Sequence, residues 1–236
     1  MDAVAEQYSL VQSVKYVLSL QPSVSKLLRL LPFYIEVEKS PVIDECILVT
    51  AEKDISYMRH EIAEKYGFRK VSAVVPGGSE RWESVANAVR TLENGGTMKE
   101  GFVFIHDGAR PFLTEEILER VCLAVKEYPA CVAAVPSKDT VRLADEDGFT
   151  KSTPDRRNVW IVQTPQAFDA GLLVKAYAKL RERADRLGKE NISVTDDAGV
   201  VELFTEQRIR LVEGSYDNIK VTTPGDMKIA EAFLEA

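Results

Sequence analysis

The run Phe102 to Phe112 reads FVFIHDGARPF, in which four apolar residues lead through His106 into Asp107, Gly108 and Arg110 and stop at Pro111 and Phe112. An apolar run that ends in polar residues describes a buried strand whose tip stands at the edge of a sheet, where open α/β proteins bind ligands. Asp107 beside Gly108 sets a carboxylate against backbone that a ligand can approach closely, an arrangement suited to holding Mg²⁺ against phosphates. Arg110 can fork onto a phosphate or pair with Asp107 itself, and both readings stand.

Six further clusters carry chemistry-bearing types. Pro76-Gly77-Gly78-Ser79-Glu80-Arg81 lies between a strand-like and a helix-like stretch, so its backbone N–H groups could meet an anion or a base at a helix start, or it is simply a tight turn. Lys138-Asp139-Thr140 and Asp155-Arg156-Arg157 bracket a hairpin-like segment, and Gln163-Thr164-Pro165-Gln166 follows the strand-like Val159 to Val162. Val194-Thr195-Asp196-Asp197 precedes an apolar helix over residues 198–204, with Thr195 as N-cap or as a hydroxyl donor. In Asp217 to Thr222 (DNIKVT), Lys220 lies within a strand-like run. A lysine there is costly to bury unless it meets an anion, which makes Lys220 the leading catalytic candidate.

The elements that must position these groups alternate. Glu45 to Thr50 is a β-branched apolar run followed by helical spacing from Asp54 to Tyr66, with Ile55, Met58, Ile62 and Ala63 on one stripe. Val71 to Val75 leads into a helix over Arg81 to Leu92, Phe102 to His106 into one over Glu115 to Tyr128 capped by Thr114, and Val132 to Val135 opens a fourth unit. Near-continuous apolar strands separated by helices predict an α/β fold with a mostly parallel sheet covered by helices on both faces. From residue 137 to 160 the rhythm breaks. Alternation around Thr140 to Leu143 and an Asp147-Gly148 turn predict a projecting hairpin. A ribbon with so little core is expected to pack against a second copy of the chain.

Composition narrows the field. With 236 residues and no Ser/Gly-rich or Pro-rich linker, one domain over 1–236 is expected. A net charge of −7 argues against a nucleic-acid polymer as partner, though a small anion in a local basic pocket remains allowed. Cys46, Cys122 and Cys131 are scattered and odd in number, which predicts core thiols, not disulfides or zinc. No apolar run approaches the roughly 20 residues of a membrane span, and MDAVAEQ lacks the basic start of a signal peptide, so a cytoplasmic location is expected.

PGGSERWESV, HDGARPF, KDTVR, TPDRRNVW, QTPQAF, VTDDA and NIKVTTPGD, in this order from about residue 38 onward, resemble the 2-C-methyl-D-erythritol 4-phosphate cytidylyltransferases of the non-mevalonate isoprenoid pathway. The resemblance implies a Rossmann-like nucleotidyltransferase domain whose arm over 137–160 interlocks in a homodimer. It implies that CTP and methylerythritol phosphate react, with Mg²⁺, to give the CDP-alcohol and pyrophosphate. It implies that Asp107 holds the metal, that Lys220 and Arg156 position and neutralise the acceptor phosphate with Lys220 also at the nucleotide, and that Gly78, Ser79, Arg81, Ser84 and Gly108 frame the nucleotide. Arg110, Thr140, Thr164 and Thr195 would then serve the second substrate. The close alternative within the class is a ribitol-phosphate cytidylyltransferase, and outside it a nucleotide- or sugar-phosphate-binding protein without turnover. The likeness fails at the start, where members carry a glycine-rich basic loop and residues 1–40 here contain no glycine. A misread frame, a diverged start and a member without catalysis are all open there. Lys15, in Val14-Lys15-Tyr16, is the candidate cation in that region, with Lys26 and Arg29 behind it.

Overall fold

The computed structural model describes residues 14–19, 36–95, 100–187 and 194–235. A seven-stranded sheet organises them. Its strands are β1 (Val14–Ser19), β2 (Glu45–Thr50), β3 (Val71–Pro76), β4 (Phe102–Asp107), β5 (Ala130–Pro136), β8 (Trp160–Asp169) and β9 (Arg210–Glu213), in the spatial order β3-β2-β1-β4-β8-β5-β9. All neighbouring pairs are parallel except the two that β8 makes, with β4 and β5. The α/β fold with a mostly parallel sheet is therefore present. β1, an interior strand between β2 and β4, is a strand that the sequence pattern did not disclose.

Alternation along the strands assigns each side chain to a face. Tyr16, Leu18, Cys46, Leu48 and Phe104 pack on one side with Met58 and Ile62 of the helical stretch after β2 and with Ile117, Leu118 and Val121 of α2 (Glu115–Glu127). Val17, Ile47, Val49, Val103 and Ile105 face the opposite side. There they meet α1 (Arg81–Asn94), α3 (Ala170–Leu187) and α4 (Asp197–Phe204) through Val85, Leu173, Tyr177 and Val201. All three cysteines are free and buried. Among the described residues, no helix is long and apolar enough to cross a membrane.

Three local expectations need correction. The helix expected over 54–66 is a 3-10 turn (Glu52–Asp54), one α-turn (Ile55–Tyr57) and a π-helical run (Met58–Glu64), whose buried residues are Met58, Ile62 and Ala63. The Gln163–Gln166 cluster does not follow a strand but lies inside β8. The run 217–222 is not a strand. It is irregular chain that starts in a turn at Asp217 and is held by Val221 N–H to the Ala109 carbonyl (2.8 Å), the Asn218 amide to the Thr164 carbonyl (2.9 Å) and Arg110 to the Asn218 carbonyl (2.6 Å). The last helix, α5 (Pro224–Glu235), follows it.

The expected hairpin is present but small. β6 (Leu143–Ala144) pairs antiparallel with β7 (Thr150–Ser152), and Gly148 takes the turn at φ 85°, a left-handed conformation that favours glycine. Residues 142–153 are exposed throughout, with Phe149 73% accessible.

The fold sets where a ligand belongs. β1 pairs with β2 on one side and β4 on the other, so the strand order reverses between β1 and β4. The carboxyl ends of those strands meet at the register pair Ser19 and Asp107, with Gly108 N–H donating to the Ser19 carbonyl at 2.7 Å. A crevice at such a reversal is the usual binding place of doubly wound sheets. Phe104, fully buried in β4, anchors this junction. Phe104→Ala should cost about 3–5 kcal/mol of stability, measured by urea unfolding with an unchanged denaturant slope.

Candidate active site

Asp107, the last residue of β4, sits between two cations. Lys220 Nζ donates to Oδ2 at 2.8 Å, and Arg81 Nε donates to Oδ1 at 3.2 Å. Burial opposes ionisation of this carboxyl, but Arg81 and Lys220 outweigh it and hold its pKa at about 2. The internal pairing open from the sequence, Asp107 with Arg110, is not the one formed. Arg110 instead turns its guanidinium to the carbonyls of Asn218 and Val162, and thereby ties the Lys220 segment to β8.

Arg81 is held from beneath. Its Nη2 donates to Asp197 Oδ2 at 2.7 Å, and Asp197, fully buried, also accepts from the Tyr177 hydroxyl at 2.6 Å. Burial alone would make the guanidinium easier to deprotonate; Asp197 and Asp107 together more than offset that and raise its pKa. Gln166 of β8 locks the far end. Its Oε1 accepts from the N–H groups of Asp197 and Ala198, and its amide donates to Asp196 at 2.9 Å. Asp197 and Gln166 stood in clusters that the sequence singled out, whereas Tyr177, in the middle of α3, carried no local signal.

The glycine-rich turn before α1 is a finished structure. Gly77 N–H donates to the Thr50 carbonyl, Gly78 N–H to Ser84 Oγ, and the N–H groups of Ser79 and Glu80 both to Glu83 Oε2, which also takes the Ser79 hydroxyl. Glu80 and Glu83 form a reciprocal capping box. A Cβ on Gly78 would stand 2.2 Å from Glu83 Cβ, so the glycine is required by this packing. These four N–H groups are committed within the protein, which favours the tight-turn reading over the anion-binding one.

The other candidates separate. Lys15 is corrected: it pairs with Glu45 at 2.7 Å near the amino end of β1, four residues from Ser19, or roughly 13 Å along a strand. Thr164 lies inside β8 beside Asp107. It is 4% accessible, and its hydroxyl lies between Asp107 N–H (3.1 Å) and His106 Nδ1 (3.0 Å). Thr195 is not the N-cap. That is Asp196, which accepts from Gly199 N–H, and Thr195 is exposed one residue ahead. Thr140 and Arg156 are exposed at the base of the arm, where Arg156 donates to the Lys138 carbonyl, and neither contacts the Asp107 cluster. His106, given no role from the sequence, is fully buried, and burial lowers its pKa to about 4. Lys26 and Arg29 lie outside the described residues.

No group of three or more His, Cys, Asp or Glu side chains that could cage a metal occurs among the described residues. Asp107 is a single hard oxygen donor. Such a donor fits Mg²⁺, which is commonly shared between one carboxylate and substrate phosphates.

A doubly wound sheet with cations and a carboxylate at its strand-order reversal, beside a glycine-rich turn, defines an α/β protein of the phosphate-ligand class. Comparison with known proteins narrows the class. The family model described as IspD, 2-C-methyl-D-erythritol 4-phosphate cytidylyltransferase, matches residues 30–236. The enzyme of that name from Lachnospira eligens is 43% identical over 198 residues, covering 84% of this chain and 82% of that protein. The one from Clostridium kluyveri is 44% identical over 197 residues, covering 84% and 80%. The crystal structure of 4-diphosphocytidyl-2C-methyl-D-erythritol synthase from Anaerococcus prevotii superposes with a TM-score of 0.81 at 30% identity, covering 95% of this chain and 96% of that one. The chain belongs to the 2-C-methyl-D-erythritol 4-phosphate cytidylyltransferase family, a family of nucleotidyltransferases.

The depressed carboxyl of Asp107 makes an acid-stability prediction. A folded pKa of about 2 against an ordinary 3.8 means that the unfolded chain binds the proton more readily, so the contribution is present above about pH 4 and lost as pH falls toward 2. It amounts to about 2 kcal/mol. Urea unfolding across that interval should show a loss larger by that amount than in Asp107→Asn, and equal slopes would contradict the pairing.

Proposed function

We propose that this chain transfers the cytidylyl group of CTP to 2-C-methyl-D-erythritol 4-phosphate, giving 4-diphosphocytidyl-2-C-methyl-D-erythritol and pyrophosphate. Family membership over residues 30–236 supports the reaction. The observation that carries the site is the convergence of Lys220 and Arg81 on Asp107 at the sheet's reversal point.

The acceptor phosphate oxygen attacks the α-phosphorus, and the bond from that phosphorus to the pyrophosphate oxygen breaks. No general base is required, because the attacking phosphate is already ionised at neutral pH. The barrier is electrostatic: two anions approach, and negative charge gathers at the reacting centre, so fixed cations supply most of the acceleration. Mg²⁺, bound, would neutralise triphosphate oxygens. Asp107 is the residue that would hold it.

Lys220 is the mobile element. Its side chain is 36% accessible, and an ammonium on a flexible stem can leave the Asp107 carboxylate for a phosphate. Arg81 stays, because Asp197 and Tyr177 hold its other edge. The carbonyls of the Gly77-Gly78 turn suit the exocyclic amine of cytosine, a donor that uracil lacks.

Thr140 and Arg156 reach substrate in this reading only by crossing to another protomer. The arm that carries them has no core of its own and exposes Leu143 and Phe149. A homodimer joined through the arm supplies a neighbouring cluster and covers those apolar side chains. A cytoplasmic setting suits substrates that are intracellular phosphates.

Pyrophosphate release with CTP, Mg²⁺ and methylerythritol phosphate tests the proposal, and replacing the acceptor by ribitol 5-phosphate should abolish the signal. Tight CTP binding without release would instead favour the non-catalytic alternative. Lys220→Ala should lower turnover by about 10² or more, and a loss under about fivefold would demote it to a structural lysine. Asp107→Asn should shift the Mg²⁺ titration to higher concentration.

A further inference from the structure

The peptide N–H of Asp107 raises a question of support. Gly108 N–H points to β1, so the preceding N–H of Asp107 points the other way, toward β8. The β4–β8 ladder, however, ends at the pair Ile105 and Gln166, two residues short of Asp107. The acceptor that Asp107 N–H finds is a side chain, Thr164 Oγ1 at 3.1 Å.

Hydrogen-bond direction follows by elimination. The Arg110 carbonyl, 3.0 Å from His106 Nε2, can only accept, so Nε2 carries the proton. Nδ1 of the neutral ring then accepts, and the Thr164 hydroxyl 3.0 Å away donates to it while receiving from Asp107. The path runs Asp107 N–H to Thr164, Thr164 to His106, His106 to the Arg110 carbonyl, and Arg110 N–H returns to the Asp107 carbonyl at 2.9 Å. Residues 107–110 are thus fastened at both ends through one buried imidazole.

We propose that Thr164 and His106 are positioning residues for cytidylyl transfer, acting on the reaction through the orientation of Asp107. The claim rests on Asp107 being the working carboxylate of the site.

Two measurements on the full chain test it. The sequence contains only two histidines, and His60 is exposed beside Glu64, so long-range proton–nitrogen NMR can read His106 separately. The ring should be the Nε2–H tautomer. An Nδ1–H tautomer would overturn the proposal even if the enzyme proves inactive, and an absent pyrophosphate signal with the expected tautomer would instead count against the reaction.

The second measurement is a double-mutant cycle. Thr164→Val should lower kcat by about 10- to 100-fold with little change in KM for CTP, and Thr164→Ser should restore most of it. In the Asp107→Asn background, Thr164→Val should cost less than about threefold, because its effect passes through the missing carboxylate. An equal loss in both backgrounds, or no rescue by serine, would make Thr164 a packing residue and sink the idea. His106→Gln keeps a donor at the Nε2 position for the Arg110 carbonyl but places no acceptor at the Nδ1 position for Thr164, and should fall to the Thr164→Val level with an unchanged thermal midpoint. Should Thr164→Val fail to fold, that variant and the tautomer decide.

Discussion

A carboxylate taken most of the way out of water must be answered by positive charge, and Asp107 is answered twice. Arg81 reaches it from the start of α1 and Lys220 from the segment before α5, more than a hundred residues apart in sequence. Leaving one partner of such a cluster alone would strand a charge in a poorly solvated place, a costlier state than either paired arrangement. The cluster therefore couples β4, α1 and the C-terminal segment into one structure. Asp197 extends it to α4, and Tyr177 to α3.

The same electrostatics link rest to work. The site's two cations neutralise its own carboxylate. In the proposed reaction Asp107 would hold a metal and Lys220 would meet phosphate, so ligand binding would exchange partners without creating buried unpaired charge. The arrangement also divides labour by stiffness. Arg81, clamped between two acids, is a fixed donor, and Lys220 is a charge on a tether.

Support for this exchange comes from groups that resemble binding residues and are consumed in holding the frame. Glu83 closes the turn after β3, so its glycines serve packing. Thr164 supplies the acceptor for Asp107 N–H beyond the last β4–β8 register pair. Asn218 gives the Lys220 segment an anchor that a strand ladder would otherwise supply. Hydroxyls and amides next to a charged site are as readily structural as functional, and only their donors and acceptors tell the two apart.

The sequence by itself determined the alternation of strands and helices, because apolar β-branched runs and 3.6-residue stripes are local patterns. It also placed polar groups beside apolar runs, which is why Asp107, Arg81 and Lys220 could be singled out from PGGSER, HDGAR and NIK. It did not disclose β1, nor the irregular form of 217–222, whose apolar neighbours imitate a strand. Tertiary structure alone decided that Arg81 and Lys220 meet Asp107, that Asp197 and Tyr177 stand behind Arg81, and that Lys15 sits near the other end of its strand. Those facts depend on strand order and register, which bring together residues more than a hundred positions apart and leave no trace in the spacing of neighbours.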